Sequence, residues 1–451
     1  MRRISPLGVL LAASIAAPAL AAEPLPLANW PTLLITGPAA IAVPPPPDEA
    51  ATQAELDALR RLAADRPPEL AMRVRRWEAG GQAYRWNEVA IADMVDRFVI
   101  VAAAARNLAL LHAALYDTTV VVYAARQQHR RPPPAAADAA LAMPGARAVA
   151  SAYPSEAAAV GEAALIILSA LIPDRAEAYR TMAREAVLLR QRAGLELPSD
   201  AEAGRAIGAE IAALALARAG SDGVAARWTG TVPTGPGRWQ GTTPYAPLAG
   251  TWKPWLLASG DALRPPPPPA HDSPQALAAL AELKAFPRTP KSNHDAVYWE
   301  VFGGPRSYQL FNGVLGRKLL EYDLGADPPR AAASFAALNI AFHDSVVACF
   351  DAKYAYWYIR PSQLDPELRP LFPPPGHPSY PAAHACLSVA GGLVLAKLFP
   401  ADAAELADLG RQAGEARMAA GIHYRFDVEA GTGIGQGVAD LVAARFAPVM
   451  R

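Results

Sequence analysis

Lys353 and Arg360 stand seven positions apart, Arg417 precedes His423 by six, and Asp427 follows His423 by four. Seven positions are two helical turns, so the Lys353 ammonium and the Arg360 guanidinium are expected on one helix face, with Pro361 ending the helix beside Arg360. Three cations buried in one cleft require an anion, because unpaired buried charge is very costly. The planar fork of arginine meets the oxygens of a phosphate-like anion in pairs. His423 has a carboxylate one turn on that can fix its tautomer, leaving the other ring nitrogen as nucleophile or ligand. Asp427 is equally suited to capping a helix. Tyr380-Pro381-Ala382-Ala383-His384 reads as a turn feeding a helix, whose free N–H groups favour an anion, and His384 can act there as general acid or base.

The elements that must carry these residues read as helices. Arg330 to Tyr358, Ala382 to Phe399, Ala403 to Ile422 and Val428 to Phe446 place apolar residues at helical spacing, and strand-like alternation is scarce. An all-α fold follows. Shifted by 227 positions, the chain also matches itself without a gap: Leu111, Ala114 and Asp117 fall on Leu338, Ala341 and Asp344, and Tyr153-Pro154 on Tyr380-Pro381. Asp200 to Gly208 falls on Asp427 to Gly435 with six identities in nine. The chain thus reads as two tandem helical bundles from one internal duplication. The expected boundaries are a signal peptide over 1–21, a structural N-terminal repeat over 22–225, a Pro/Gly/Trp-rich connector over 226–264 and a catalytic bundle over 265–451.

The repeat is also an internal control on function. Subtracting 227 takes Lys353 to Arg126, Arg360 to Pro133, His377 to Ala150, His384 to Ala157, Arg417 to Arg190 and His423 to Glu196. No histidine of the set survives, so the chemistry is assigned to the second bundle. Asp117 at the position equivalent to Asp344 favours a structural role for that carboxylate over bracing Arg360 or Arg417.

Composition narrows the partners. Lys plus Arg number 42 and Asp plus Glu 42, so the basic excess of a nucleic-acid binder is missing. At 52% hydrophobic and 19% charged residues a large core is available and wholesale disorder is excluded. The 45 prolines mark ordered connections, since proline is shut out of helix interiors. Arg2 and Arg3, the apolar run Leu7 to Ala17 and Ala19-Leu20-Ala21 form a signal-peptide pattern and predict export to the periplasm or medium. No later stretch offers the roughly 18 uninterrupted apolar residues of a membrane span. Cys349 and Cys386 allow at most one disulfide and fit small buried side chains better. HExxH, CxxC and Gly-rich phosphate-loop motifs are absent, which removes support for zinc hydrolases and nucleotide binding. Ala-rich helical surfaces leave a homodimer open.

In order, Lys353-x6-Arg360-Pro361, Tyr380-Pro381-Ala382-Ala383-His384 and Arg417-x5-His423-x3-Asp427 resemble the signature motifs of the superfamily joining type 2 phosphatidic acid phosphatases, bacterial acid phosphatases and vanadium-dependent haloperoxidases. The resemblance implies that Lys353, Arg360, Arg417 and the Ala383 N–H hold the oxygens of vanadate or phosphate. It implies that His423 binds vanadium, or is phosphorylated in a phosphatase, while His384 attends the apical oxygen or leaving group. The duplicated, exported organisation resembles the bacterial haloperoxidase-like members, which implies vanadate as cofactor and hydrogen peroxide, a halide and a small organic acceptor as substrates. His377 stands where bromoperoxidase-type members resemble one another in having a histidine, and so points to bromide or iodide. One departure stands out: Ala382-Ala383 replaces the usual Ser-Gly and removes a hydroxyl donor, worth about 1.5–3 kcal/mol to a charged acceptor. It keeps two alternatives in view, a secreted acid phosphatase acting through a phosphohistidine at His423 and a non-catalytic phosphate or vanadate binder.

Overall fold

The computed structural model describes residues 27–147 and 149–448; the signal peptide expected over 1–21 lies outside the described residues. The fold is all-α, as the spacing of apolar residues indicates. Among the described residues the one β-type contact is an isolated bridge between Arg238 and Tyr358.

Two 29-residue helices, Val101–His129 and Pro328–Tyr356, pack against each other at the centre of one apolar core drawn from both halves of the chain. Both are long and apolar enough to cross a membrane, yet their most apolar stretches are 89% and 100% buried within the protein. A helix apolar on all sides needs such a surround. Glu156–Leu171 and Pro198–Ala219 flank the first central helix, and Ala383–Leu398 and Arg425–Phe446 flank the second. The flanking helices approach so closely that a Cβ on Gly204 would run into the Ser155 carbonyl, and one on Gly431, 227 positions later, into the Ala382 carbonyl.

Each central helix also holds down an irregular segment with one buried carboxylate. Asp117 accepts the backbone N–H groups of Leu33, Leu34 and Ile35, and Asp344 those of Trp255, Leu256 and Leu257. Asp344 therefore braces neither Arg360 nor Arg417; three backbone donors occupy it. Burial pushes the Asp117 carboxyl up to about 7, against the pull of its three N–H donors. The tryptophans of the connector are packed, Trp239 and Trp252 being buried, so this stretch is ordered without regular structure.

Candidate functional site

The helix carrying Lys353 ends at Tyr356, and Trp357 caps it in the left-handed region at φ +51°. Arg360 lies beyond it in extended backbone, φ −75° and ψ 152°. The expectation that Lys353 and Arg360 share a helix face is therefore overturned. The left-handed residue turns the chain, and both side chains still reach one centre where neither has any exposed surface.

Lys353 Nζ donates to the carbonyls of Pro378 (2.8 Å), Ser379 (3.1 Å) and Pro381. An ammonium has three hydrogens, so none is left for a direct bond to an anion. In this arrangement Lys353 clamps the 378–381 turn and contributes its charge to the centre at a distance. Arg360 lies deeper. Its Nε donates to the His377 carbonyl (3.0 Å), Nη1 to the Ile422 carbonyl (3.0 Å) and to His423 Nε2 (2.9 Å), and Nη2 to His377 Nδ1 (3.1 Å). Since arginine can only donate, both ring nitrogens accept, which places the His423 proton on Nδ1. That proton points at Asp427 Oδ2, 2.9 Å away. The same oxygen accepts from Ser379 Oγ (2.5 Å) and the Tyr424 N–H (3.1 Å). Asp427 thus orients the ring and caps the helix Arg425–Phe446 at once, so both readings of that residue hold.

Arg417, also fully buried, pairs with Glu300 and donates to the Ala296 carbonyl at 2.9 Å. The three cations gather as expected, and carbonyls, ring nitrogens and Glu300 take up most of their donors, so burying them does not of itself require an external anion; Arg417 Nε alone among their nitrogens is left without a partner. Glu300 lies 3.9 Å from His384 Nε2, linking Arg417 to the histidine at the start of the helix Ala383–Leu398. Gly303 and Gly304 lie against the His384 ring, where a Cβ on either would come within 2.8 Å of ring atoms. Ala382 caps this helix with no side-chain bond, so the N–H groups of its first turn, with that of Ala383 at their head, lack a side-chain acceptor.

Burial, reinforced by the neighbouring cations, holds His377, His384 and His423 well below the usual histidine range, so all three rings are neutral at pH 7. Burial also lowers Lys353 to about 8 and Arg360 to about 10, and raises Asp427 to about 6.

A cavity of about 260 Å³ opens onto His377, Ala383 and His384, walled by Phe98, Val99, Ile100, Val101, Phe350 and Leu387 with Tyr245, Glu300 and Arg306. A larger one, about 500 Å³, sits in the first half around Arg126, Arg190, Glu78 and Glu156, with no histidine in its wall. There Ser155 Oγ and Arg190 Nε both bond to Glu196 Oε2, at 2.8 and 3.0 Å. A carboxylate thus stands at the His423 position, and the roomier of these two cavities is the one without the histidines.

The sequence reading missed Glu300 and Ser379. Glu300 had a signal: Trp77-Glu78 before Gly80-Gly81 parallels Trp299-Glu300 before Gly303-Gly304, but these stand 222 and 223 positions apart, outside the gapless match at 227. Glu78 lies 3.5 Å from Arg190 as Glu300 pairs with Arg417.

Residues 332–449 match the family model described as the PAP2 superfamily. The C-terminal half carries a PAP2-superfamily segment. This matched segment contains Lys353, Arg360, His377, His384, Arg417, His423 and Asp427, whereas Glu300, the two glycines against His384 and one wall of the cavity lie outside it. Among solved structures the chain is similar to a bacterial vanadium-dependent iodoperoxidase, at 21% identity and TM-score 0.61 over 80% of this chain and 95% of that one. It is also similar to a bacterial vanadium-dependent chloroperoxidase in its holo form, at 14% identity and TM-score 0.58 over 78% and 92%. Those likenesses establish that the PAP2 segment sits in a haloperoxidase fold. No curated protein matches the chain.

Proposed function

We propose that this chain is an exported, vanadate-dependent haloperoxidase that oxidises bromide or iodide with hydrogen peroxide, and that its second half is the equipped copy of a duplicated bundle. The observation that carries the reading is the buried centre in which neutral His423, its Nδ1 tied to Asp427, faces Arg360 and Lys353 beside a helix N-terminus without a side-chain cap. The residues present fit a tetrahedral oxyanion: Arg417 Nε and His384 Nε2 are buried without partners. The likeness to an iodoperoxidase and a chloroperoxidase supports vanadate over other oxyanions.

When bound, vanadate supplies a Lewis-acidic centre that makes hydrogen peroxide reactive toward a halide. His423 would hold it through Nε2, which requires Arg360 Nη1 to leave that nitrogen; the freed N–H and Arg417 Nε then serve its oxygens. Asp427 keeps the His423 proton on Nδ1, so the lone pair stays at Nε2. Lys353 keeps the 378–381 turn closed and adds positive potential. His384, neutral and at the cavity wall, would accept and return a proton on the peroxide side. His377, bonded to Arg360 and lining the cavity, is the residue proposed to meet the halide.

A second reading uses the same atoms for phosphoester cleavage, with His423 Nε2 attacking phosphorus and His384 protonating the leaving alcohol. The cavity at His384 favours it by giving that alcohol a place. Mature protein supplied with vanadate, peroxide and bromide or iodide should halogenate an organic acceptor and cleave a chromogenic phosphate ester poorly. Ester cleavage without vanadate, together with no halogenation, would reverse the choice.

A further inference from the structure

The helix Gly81–Asp96 of the first half ends in a loop that forms one lip of the cavity over His384. Phe98 N–H bonds to the Val95 carbonyl and Val99 N–H reaches back to the Met94 carbonyl, closing the helix end. Phe98 is left-handed at φ +52°, a conformation that costs a side chain energy and that glycine adopts freely at helix ends. The cost is not recovered in the core: Phe98 is 80% exposed and Ile100 50%. A strained aromatic displayed at the mouth of a cavity points to a ligand.

The charge at this lip points the same way. The Arg306 guanidinium lies 5.4 Å from the centre of the Phe98 ring and bonds to the Val95 carbonyl and Tyr308 hydroxyl through Nη1. Among the described residues no carboxylate pairs with it. Glu300, the acidic residue in the same wall, is engaged by Arg417 beside His384. An elongated ligand with one anionic end would therefore place that end at Arg306, away from Glu300, and lay its apolar body along Phe98, Phe350 and Leu387 toward the histidines.

We infer that the Phe98–Arg306 lip binds the organic acceptor and selects aromatic carboxylates. The inference rests on the haloperoxidase reading. The halide gives up two electrons to hydrogen peroxide, whose O–O bond breaks to yield two waters. The halogen forms a bond to a ring carbon as its C–H bond breaks, and that proton, with one from solvent, completes the waters.

The test is a calorimetric titration of the full mature chain, without vanadate, using 4-hydroxybenzoate and its uncharged amide. The carboxylate should bind at least tenfold more tightly than the amide, and Arg306→Gln should erase the difference. Phe98→Gly should weaken the carboxylate five- to tenfold while raising Tm by a few degrees, because glycine relieves the left-handed strain; a gain in Tm also rules out misfolding as the cause. Equal binding of acid and amide to the unaltered protein, a preference that survives Arg306→Gln, or a Phe98→Gly variant that only dissociates a dimer would each overturn the inference. Triiodide formation from iodide and peroxide by the vanadate-loaded unaltered protein needs no organic acceptor. Its failure would sink the haloperoxidase reading, whereas the titration judges the lip by itself.

Discussion

Arg360 Nη1 lies 2.9 Å from His423 Nε2, and Asp427 Oδ2 lies 2.9 Å from Nδ1 of the same ring. The imidazole is held at both nitrogens, with its lone pair directed at the residue an anion would have to displace. Asp427→Ala removes the partner that fixes this tautomer and also strips the acceptor from Ser379 Oγ and the Tyr424 N–H. Loss of such an orienting partner typically costs 10–100-fold in affinity. The expected outcome is a vanadate Kd raised by about that factor, read from vanadate-dependent thermal shifts, with stability lowered by about 1–3 kcal/mol through the orphaned donors. Unchanged vanadate affinity would remove Asp427 from the site.

Ala382→Ser should tighten oxyanion binding, and the first half shows how the hydroxyl would sit. Ser155, 227 positions earlier, caps its helix by accepting the Ala158 N–H at 3.1 Å and donates to Glu196, which occupies the His423 position. A serine at 382 would cap the helix Ala383–Leu398 and aim its proton at the same centre. The cap alone is worth about 1 kcal/mol, and a hydroxyl on a charged acceptor about 1.5–3 kcal/mol. Vanadate affinity should rise at least tenfold, with Tm a few degrees higher without ligand. A variant with the higher Tm and unaltered affinity would show that the hydroxyl caps the helix only.

Local spacing made much of this legible. The helices around Lys353, His384 and His423 follow from apolar periodicity, and Asp344 was separable from the site because Asp117 persists in a half that lacks counterparts of the site histidines. What stayed hidden depends on backbone geometry. No propensity rule places Trp357 in the left-handed region, so Arg360 was put on a helix it has already left. The filling of Lys353 by three carbonyls depends on the path of the 378–381 turn, which spacing does not encode. Glu300, 117 positions before its partner Arg417, is tied to it by no motif spacing and shows in the sequence only through the Trp-Glu and Gly-Gly pairs it shares with the first half.

Glu300→Gln separates the ion pair from the cation it restrains. Arg417 has no exposed surface, so removing its carboxylate strands a buried charge, which typically costs about 3–5 kcal/mol. An oxyanion bound at the site would restore a counter-charge. The variant should melt lower than the unaltered protein without ligand and gain more Tm from saturating vanadate. Equal vanadate-induced gains in the two proteins would mean that Arg417 does not face the bound anion.

The neutrality of His384 has a sign that pH can test. Burial first, then the Arg417 charge, holds its folded-state pKa well below the 6.5 of an exposed histidine. Above 6.5 neither state carries the proton, so the group adds nothing. As pH falls below 6.5, the unfolded chain takes up a proton that the folded ring refuses, and stability is lost. Other buried groups titrate in the same range, Asp427 among them with the opposite sign because its pKa is raised to about 6. Comparing His384→Gln with the unaltered protein removes these shared contributions. Glutamine does not titrate, so the stability of the variant relative to the unaltered protein should rise by about 1.4 kcal/mol between pH 7.5 and 5.5, one pH unit below 6.5. Urea unfolding of both proteins at the two pH values measures it. A difference independent of pH would mean that His384 titrates normally in the folded chain and is therefore not held neutral beside Arg417.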